Sequence, residues 1–330
     1  MIAQLDRLYI RTRPTKVISR LISYALFEGR PITTRGQWIN PLVFTHFALE
    51  MRLPQLREVR KPVFIVGTGR SGSTILGVLL SLHRDVGFLN EPKALWYAAC
   101  PCADVFGQHS KGPARYRLDE NDATEEVRRR TRRLFGAYLR VVASSRMVDK
   151  HPELIFQIPF VRAIFPDAQF IFLVRNGWDT CHSIASWSGR KGIRSNGEVH
   201  DWWGVNNRKW HLMLRQLVPE EEVLADVAGV LEGFDRHLDM AAVEWILAMQ
   251  EGLRQLDRNA HSMRMVRYES LLENPRRELS SLLDFCQLAP DETFLSFGEQ
   301  KLSSAGKTEP FDLHPSVRAA FDRTMKDLGY

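Results

Sequence analysis

Four short runs in which apolar residues predominate divide the chain and predict its strands. They cover residues 62–66, 86–89, 169–174 and 263–268. Their length, with β-branched and aromatic side chains among them, is typical of buried β-strands. Segments with helical periodicity follow several of these runs, including residues 74–82 and a stretch that begins near Asp179.

Strands that alternate with helices require crossover connections, and such connections produce a parallel sheet with helices on both faces. The run at 263–268 is also followed by helical periodicity, over 279–286. Pro275 lies near the start of that helix, a position that proline favours. We therefore expect an α/β fold of three layers, with a central parallel β-sheet flanked by helices.

Charge is unevenly distributed and suggests how the chain is organised. The net charge of +6 comes from 45 Lys and Arg against 39 Asp and Glu. Residues 1–60 contain ten basic and four acidic side chains, which leaves 35 of each in residues 61–330. A balanced body argues against nucleic-acid binding. We expect a basic, partly helical N-terminal segment over 1–60 and a single α/β domain over 61–330.

The N-terminal segment contains apolar residues at helical spacing, with Lys16 and Arg20 among them. These are Val17, Ile18, Leu21, Ile22, Ala25 and Leu26. A helix of this kind either lies on an anionic membrane surface or packs on its own domain, and both alternatives remain open here. The sequence has no apolar run long enough for a membrane span and no apolar signal core. With only four cysteines, we expect a cytoplasmic protein, at most peripheral to a membrane.

A glycine-rich loop, GTGRSGST at residues 67–74, follows the first predicted strand and opens into a helix. Glycines let backbone N–H groups approach an anion closely, and a helix N-terminus adds partial positive charge. Gly67 and Gly72 match the glycines of G-x-x-x-x-G-K-[ST], but Ser73 occupies the lysine position and Arg70 stands inside the loop. No predicted strand ends in an aspartate suited to magnesium. The loop therefore predicts a phosphate-like ligand held without a metal, and the candidate donors are Gly69, Arg70, Ser71, Gly72, Ser73 and Thr74.

This loop resembles the 5′-phosphosulfate loop of sulfotransferases that use 3′-phosphoadenosine 5′-phosphosulfate (PAPS). Further segments agree in order: NEP at 90–92, DKHP at 149–152, LVRNGWD at 173–179 and RYESL at 267–271. The resemblance covers roughly residues 61–310. It implies PAPS as sulfate donor, adenosine 3′,5′-bisphosphate as product, and a hydroxyl group as acceptor.

The resemblance also assigns catalytic roles to charged residues after the predicted strands. Glu91 matches the family's glutamate base, and His151 is its rival because some family members use a histidine. Lys150 would stabilise the bridging oxygen or the transferring group, and Arg70 would hold the phosphate. In-line transfer of this kind depends mostly on positioning and electrostatic stabilisation.

The nucleotide would be held by a second set of residues. Arg175 at a strand end and Ser183 in the next helix resemble the family's 3′-phosphate element, although the usual Arg-Asp-Pro is Arg-Asn-Gly here. Tyr268 is a further candidate for nucleotide contact. Ser303 and Lys307 lie in a basic loop that corresponds to one closing over the nucleotide in the family.

Two other functions compete with this prediction: a P-loop nucleoside or small-molecule kinase, and a non-catalytic membrane-surface or scaffold protein. The acceptor is expected to be a lipid or glycolipid hydroxyl, or a carbohydrate or secondary metabolite. Tryptophans after the 3′-phosphate element either line the acceptor site or belong to the core. They are Trp187, Trp202, Trp203 and Trp210. The Cys100-Pro101-Cys102 segment lacks the second pair that a zinc site needs.

Overall fold

A computed structural model describes residues 3–31, 33, 36–302, 306 and 308–330. The strands are β1 (Val63–Gly67), β2 (Val86–Asn90), β3 (Arg146–Lys150), β4 (Gln169–Val174), β5 (Ile193–Ser195), β6 (Glu198–Asp201), β7 (Gly204–Val205) and β8 (Met263–Arg267). Within the described residues, five of them form a parallel sheet in the order β2-β3-β1-β4-β8, and β5, β6 and β7 form a small antiparallel sheet.

Helices precede the sheet and connect its strands. They are α1 (Arg7–Thr12), α2 (Thr15–Ile22), α3 (Asn40–Glu50), α4 (Ser73–Leu82), α5 (Lys93–Ala99), α6 (Glu125–Val141), α7 (Ile158–Ile164), α8 (Gly177–Lys191), α9 (Arg208–Gln216), α10 (Ala228–Leu231), α11 (His237–Arg258), α12 (Tyr268–Glu273), α13 (Pro275–Phe285), α14 (Glu292–Lys301) and α15 (Pro315–Asp327). A π-helical turn, Ser23–Phe27, extends α2.

Strand β1 is apolar along its whole length and is buried on both faces of the sheet. Phe64 and Val66 lie in a core cluster with residues of α5, α6 and α11. Val63 and Ile65 point to the opposite face and join a second cluster with residues of α4, α13 and α14. A strand that is covered on both faces has a sequence that is apolar at nearly every position. The predicted α/β class, with a central parallel sheet between helices, is confirmed.

Strand β3 was not among the predicted strands, and its sequence explains why. Its residues Arg146-Met147-Val148-Asp149-Lys150 include three charged side chains, yet Asp149 and Lys150 are buried. Buried charges persist where they find partners, and both of these have partners in the site described below. The small antiparallel sheet was also unpredicted, since its strands are short and polar.

Helix α2 covers the edge of the sheet that is formed by β2. Lys16 donates to the carbonyl of Val86 (2.9 Å) and Arg20 to that of Phe88 (3.1 Å), while Glu28 accepts from the next outward-facing amide of β2 (2.8 Å). Arg20 and Glu28 also form a buried ion pair at 2.6 Å. The basic side of the helix therefore packs on its own domain, and it satisfies the edge hydrogen bonds that a neighbouring strand would otherwise make.

The opposite side of α2 is apolar and open to solvent. Ile18 is 67% exposed and Leu21 41%. More large apolar side chains are exposed in and around α3, among them Trp38, Leu42 and Leu49. Every helix in the described part of the chain is too short or too polar to span a bilayer.

Replacing Arg20 with alanine should lower the free energy of unfolding by about 3–5 kcal/mol, because it leaves the Glu28 carboxylate buried without its partner. The control is Arg11→Ala at an exposed position, which should change it by less than about 0.5 kcal/mol. Urea unfolding followed by circular dichroism measures both. Equal losses in the two variants would contradict a structural role for the Arg20 ion pair.

Candidate active site

The carboxyl ends of all five parallel strands carry residues that the sequence singles out. Strand β1 runs into the glycine-rich loop at Gly67, and Glu91, His151, Arg175 and Tyr268 directly follow β2, β3, β4 and β8. Parallel strands bring these ends to one edge of the sheet. The order of strands reverses direction between β1 and β4, and ligands in open α/β sheets bind at such a switch point.

The loop between β1 and α4 has a backbone that few residues adopt. Arg70 has φ of 69° and Gly72 has φ of 94°, and the Ser71 hydroxyl donates to the Thr68 carbonyl at 2.7 Å. A Cβ on Gly72 would lie 2.3 Å from the Tyr268 ring, so only glycine fits there. Left-handed backbone just before a helix N-terminus is a feature of anion-binding loops.

A cavity of about 140 Å³ opens beside this loop. It is lined by Pro31, Thr33, Gly69, Arg70, Ser73, Thr74, Glu91, Lys93, Phe106, Gln108, Lys150, Pro152, Glu153, Trp187, Asp201 and Trp202. Three larger clefts, of about 680, 570 and 490 Å³, lie elsewhere and contain none of the strand-end residues. We place the candidate site in the smaller cavity because the loop and the charged residues meet there.

The two segments expected to hold phosphates are linked to each other. Arg70 Nε donates to Ser183 Oγ at 3.1 Å, and Arg175 Nη1 lies 3.4 Å from the Arg70 carbonyl oxygen. The Arg175 guanidinium is 4.9 Å from the centre of the Tyr268 ring and 3.7 Å from the Asp179 carboxylate. The loop, the β4 end and the β8 end thus form one cationic surface.

Glu91 is held between two lysines at the other side of the loop. Lys150 donates to its Oε1 atom, and Lys93 Nζ lies 3.1 Å from Oε2. Burial opposes ionisation of Glu91, but the two ammonium groups outweigh it and keep the pKa of the carboxyl well below its usual range. Glu91 has φ of 51°, so strained backbone also marks this position.

His151 lies behind the cavity rather than in it. It is 8% exposed and lines a separate void of about 10 Å³. Its Nε2 atom is 3.5 Å from Glu153, and Nδ1 has no hydrogen-bond partner within the described structure. Burial lowers the pKa of His151 to about 4, although Glu153 opposes this. The imidazole is therefore neutral at pH 7.

Three further residues predicted for the site are Ser71, Ser303 and Lys307. Ser71 is buried within the loop and does not line the cavity. Ser303 and Lys307 lie outside the described residues. The amide of Thr308 donates to Asp179 at 2.7 Å, which places Thr308 beside the Arg175 region.

Comparison with known proteins identifies the family. Residues 62–227, half of the chain, match the model of the Sulfotransferase family. The chain belongs to the sulfotransferase family. Its predicted membership is thereby confirmed, and the matched region includes the loop, Glu91, Lys150 and the Arg175–Ser183 element.

Several curated proteins are similar to this chain. Protein-tyrosine sulfotransferase 1 of Danio rerio is 29% identical over 131 residues, covering 38% of this chain and 35% of that protein. The nodulation protein NoeE of Sinorhizobium fredii is 27% identical over 239 residues, covering 67% and 48%. The chain thus spans about a third to a half of these relatives.

Solved structures of sulfotransferases also align with the chain. The sulfotransferase domain from the curacin biosynthetic pathway has 16% identity and a TM-score of 0.48, covering 83% of this chain and 99% of that one. Sulfotransferase STF1 from Mycobacterium tuberculosis has 13% identity and a TM-score of 0.47, covering 98% of each.

The four tryptophans singled out in the sequence, Trp187, Trp202, Trp203 and Trp210, divide into two groups. Trp203 and Trp210 are buried in the core. Trp187 and Trp202 line the cavity with ring centres 5.6 Å apart. A Cβ on Gly69 would lie 2.5 Å from the Trp202 ring, so this indole packs directly on the glycine-rich loop.

Three charged residues that line the cavity were missed by sequence reasoning: Lys93, Glu153 and Asp201. Lys93 Nζ contacts Glu91, lies 3.9 Å from Glu153 and sits 3.4 Å from the centre of the Phe106 ring. The available signal was position, since Lys93 follows Glu91 by two residues at a helix start and Glu153 follows Lys150 by three. Which groups they would contact depends on tertiary packing.

Asp149 is a buried acid directly behind the site. The Trp96 indole donates to its Oδ2 at 2.8 Å, and Oδ1 has no partner within the described residues. Burial raises the pKa of Asp149 to about 8, although the Trp96 hydrogen bond and Lys150 act against this. The carboxyl is therefore largely protonated at neutral pH.

The raised pKa predicts a pH-dependent stability. Because the folded state holds the Asp149 proton more tightly than the unfolded chain, its contribution is fully present below about pH 4 and lost as pH rises towards about 8. Asp149→Asn should remove this loss. The free energy of unfolding of that variant relative to the parent should rise across the window, by up to about 1.4 kcal/mol per pH unit.

Urea titrations between pH 4.5 and 8.5, a range of about four units, measure the difference. Asp226→Asn, at an exposed position, is the control and should show no comparable slope. A constant difference between Asp149→Asn and the parent across this range would mean that Asp149 ionises normally in the folded protein.

Proposed function

We propose that the chain transfers the sulfuryl group of PAPS to a hydroxyl group of an acceptor. The observation that carries this proposal is that phosphate-binding donors and a carboxylate–lysine pair line the same cavity. Gly69, Arg70 and Ser73 of the anion-binding loop line it on one side, and the Glu91–Lys150 pair lines it on the other. Donors for a leaving phosphate therefore stand next to a carboxylate able to accept a proton.

The residues present fit a nucleotide with two separate phosphate groups. Arg175 Nε and Thr68 Oγ1 are buried without hydrogen-bond partners among the described residues, although buried polar groups are normally paired. In this proposal the loop from Gly69 to Thr74 holds the 5′-phosphate, and Arg175 with Ser183 holds the 3′-phosphate.

When bound, PAPS supplies the sulfuryl group and a bisphosphate leaving group. Arg70, Lys150 and the loop amides then provide fixed positive charge where negative charge develops, a form of catalysis that needs no rearrangement of the protein. The hydroxyls of Ser73 and Thr74 add two further donors at the cavity wall. Tyr268 supports the loop by packing on Gly72 and beside Arg175.

Glu91 is the base in this proposal. Its carboxylate lines the cavity and is kept ionised by Lys150 and Lys93, whereas His151 lines a different void. A carboxylate with a low pKa is a weak base. That suffices for a loose transition state, in which the attacking oxygen is little bonded and needs to lose its proton only late.

The acceptor is proposed to be a hydroxyl of a lipid or glycolipid, with carbohydrates, secondary metabolites and, from the names of the relatives, protein tyrosine as the other classes. Thr33 of the N-terminal segment lines the cavity together with Trp187 and Trp202. The exposed apolar side chains Ile18 and Trp38 belong to the same segment, which supports contact with a membrane surface. We propose a cytoplasmic protein that contacts membranes peripherally.

Nucleotide binding separates this function from the kinase alternative. Isothermal titration should give tighter binding of adenosine 3′,5′-bisphosphate than of ATP with magnesium. Arg70→Ala and Arg175→Ala should each weaken the bisphosphate by about 1.5–3 kcal/mol, the usual worth of a charged hydrogen bond. Arg129→Ala, on the exposed side of α6, is the control. Tighter binding of ATP with magnesium would favour a kinase.

Glu91→Gln tests the base. It should lower turnover about a hundredfold or more while leaving bisphosphate affinity nearly unchanged, because the amide loses the ability to take a proton but keeps an oxygen that accepts from Lys150. Turnover is measured as transfer of radiolabelled sulfate from PAPS to the acceptor that a screen of lipid and small-molecule extracts identifies. Glu126→Gln, at an exposed position, controls for loss of charge. Normal turnover in Glu91→Gln would assign the base to another residue, with His151 tested next.

A further inference from the structure

Two cysteines face each other at the end of α5. Cys100 directly follows this helix and is buried, Pro101 begins a short 3₁₀ turn, and Cys102 is half-buried. Their Sγ atoms are 3.1 Å apart. A disulfide has an S–S bond of about 2.05 Å and Cα atoms within about 7 Å. The 3₁₀ backbone of Pro101 keeps the Cα atoms of Cys100 and Cys102 closer than the roughly 7 Å of a fully extended segment. Bond formation therefore needs the sulfurs to approach by roughly 1 Å.

We propose that Cys100 and Cys102 form a redox-active thiol pair that low-molecular-weight disulfides convert reversibly to an intramolecular disulfide. The backbone holds both residues in place: the Cys100 amide donates to the Trp96 carbonyl at 2.8 Å, and the Cys102 carbonyl accepts from the Arg115 amide at 2.9 Å. Pro101 fixes the turn between them. The thiols are thus kept adjacent by the fold rather than meeting by chance.

The surroundings shift the pKa values of the two thiols in opposite directions. The hydrogen bond between the two thiols lowers the pKa of Cys102, and Arg115 acts in the same direction, while burial and Asp122 oppose them. The same hydrogen bond, together with burial, raises the pKa of Cys100. Cys102 is also the more exposed of the two. It is therefore the thiol that attacks, because the thiolate is the nucleophile.

The exchange is balanced with a disulfide RSSR, such as oxidised glutathione, as the oxidant. The Cys102 thiolate attacks one sulfur of RSSR, an S–S bond forms, and RS⁻ leaves. Cys100 then loses its proton to solvent, its thiolate attacks the Cys102 sulfur, and a second RS⁻ leaves. The pair has lost two electrons and two protons, and the oxidant has become two RSH molecules.

The other cysteines provide an internal comparison. Cys181 and Cys286 are buried, and burial raises the pKa of both thiols, that of Cys286 to about 12. Buried thiols of this kind are inert. At pH 7.5 and early reaction times, Cys102 should therefore react at least about tenfold faster than either of them.

The test treats the full chain with oxidised glutathione, stops the reaction with acid, blocks remaining thiols with N-ethylmaleimide and maps the peptides by mass spectrometry. We expect a peptide lighter by two hydrogen atoms with Cys100 joined to Cys102, restored by dithiothreitol. Cys100→Ser should instead accumulate a stable glutathione adduct on Cys102, and Cys102→Ser should give neither product. Cys181→Ser should behave like the parent.

Unmodified wild-type protein gives a decisive reading even if a variant fails to fold. Two free thiols at 100 and 102 after prolonged treatment with excess oxidised glutathione would overturn the proposal. So would labelling of Cys102 no faster than that of Cys181 or Cys286, or an adduct on Cys102 of the parent that Cys100 never displaces.

Discussion

Strand β1 pairs in parallel with β3 and β4 at the same time, and the site depends on this double pairing. Ile65 lies opposite Lys150 in one register, and Gly67 lies opposite Leu173 in the other. Because β1 is buried on both faces, a slip of one residue would send every side chain into the wrong core cluster. The fixed register brings the glycine-rich loop, Lys150 and Arg175 to the same level of the sheet edge.

The charges at that edge are organised before any ligand arrives. Lys150 is buried and paired with Glu91, while Arg175 retains a buried nitrogen without a partner in the described structure. Arg70 and Glu91 both adopt left-handed backbone, a conformation that costs of the order of 1–3 kcal/mol per residue and persists only where the surroundings enforce it. Strained backbone and an unpaired donor thus lie at the edge of the sheet where, in the proposed function, the sulfate donor and the acceptor hydroxyl meet.

The parts that sequence reasoning found are those with a local signal. Apolar runs located four of the five parallel strands, and polar residues directly after strand ends located Glu91, Arg175 and the loop. Strand β3 was missed because its charged residues conceal a buried strand, and Lys93 and Glu153 were missed as site residues because their contacts come from packing. Lys16 and Arg20 left two alternatives open, since nothing in their spacing reveals that their partners are carbonyl groups of β2.

The way in which α2 covers β2 affects how the N-terminal segment can be studied. Without Lys16, Arg20 and Glu28, the outer hydrogen-bonding groups of β2 would face water and become a template for another β-strand. A shortened chain would therefore tend to self-associate through this edge, and a lost membrane affinity could not be separated from aggregation. Polar substitutions at the outward-facing Ile18 and Leu21 leave the edge covered and isolate the contribution of the exposed surface.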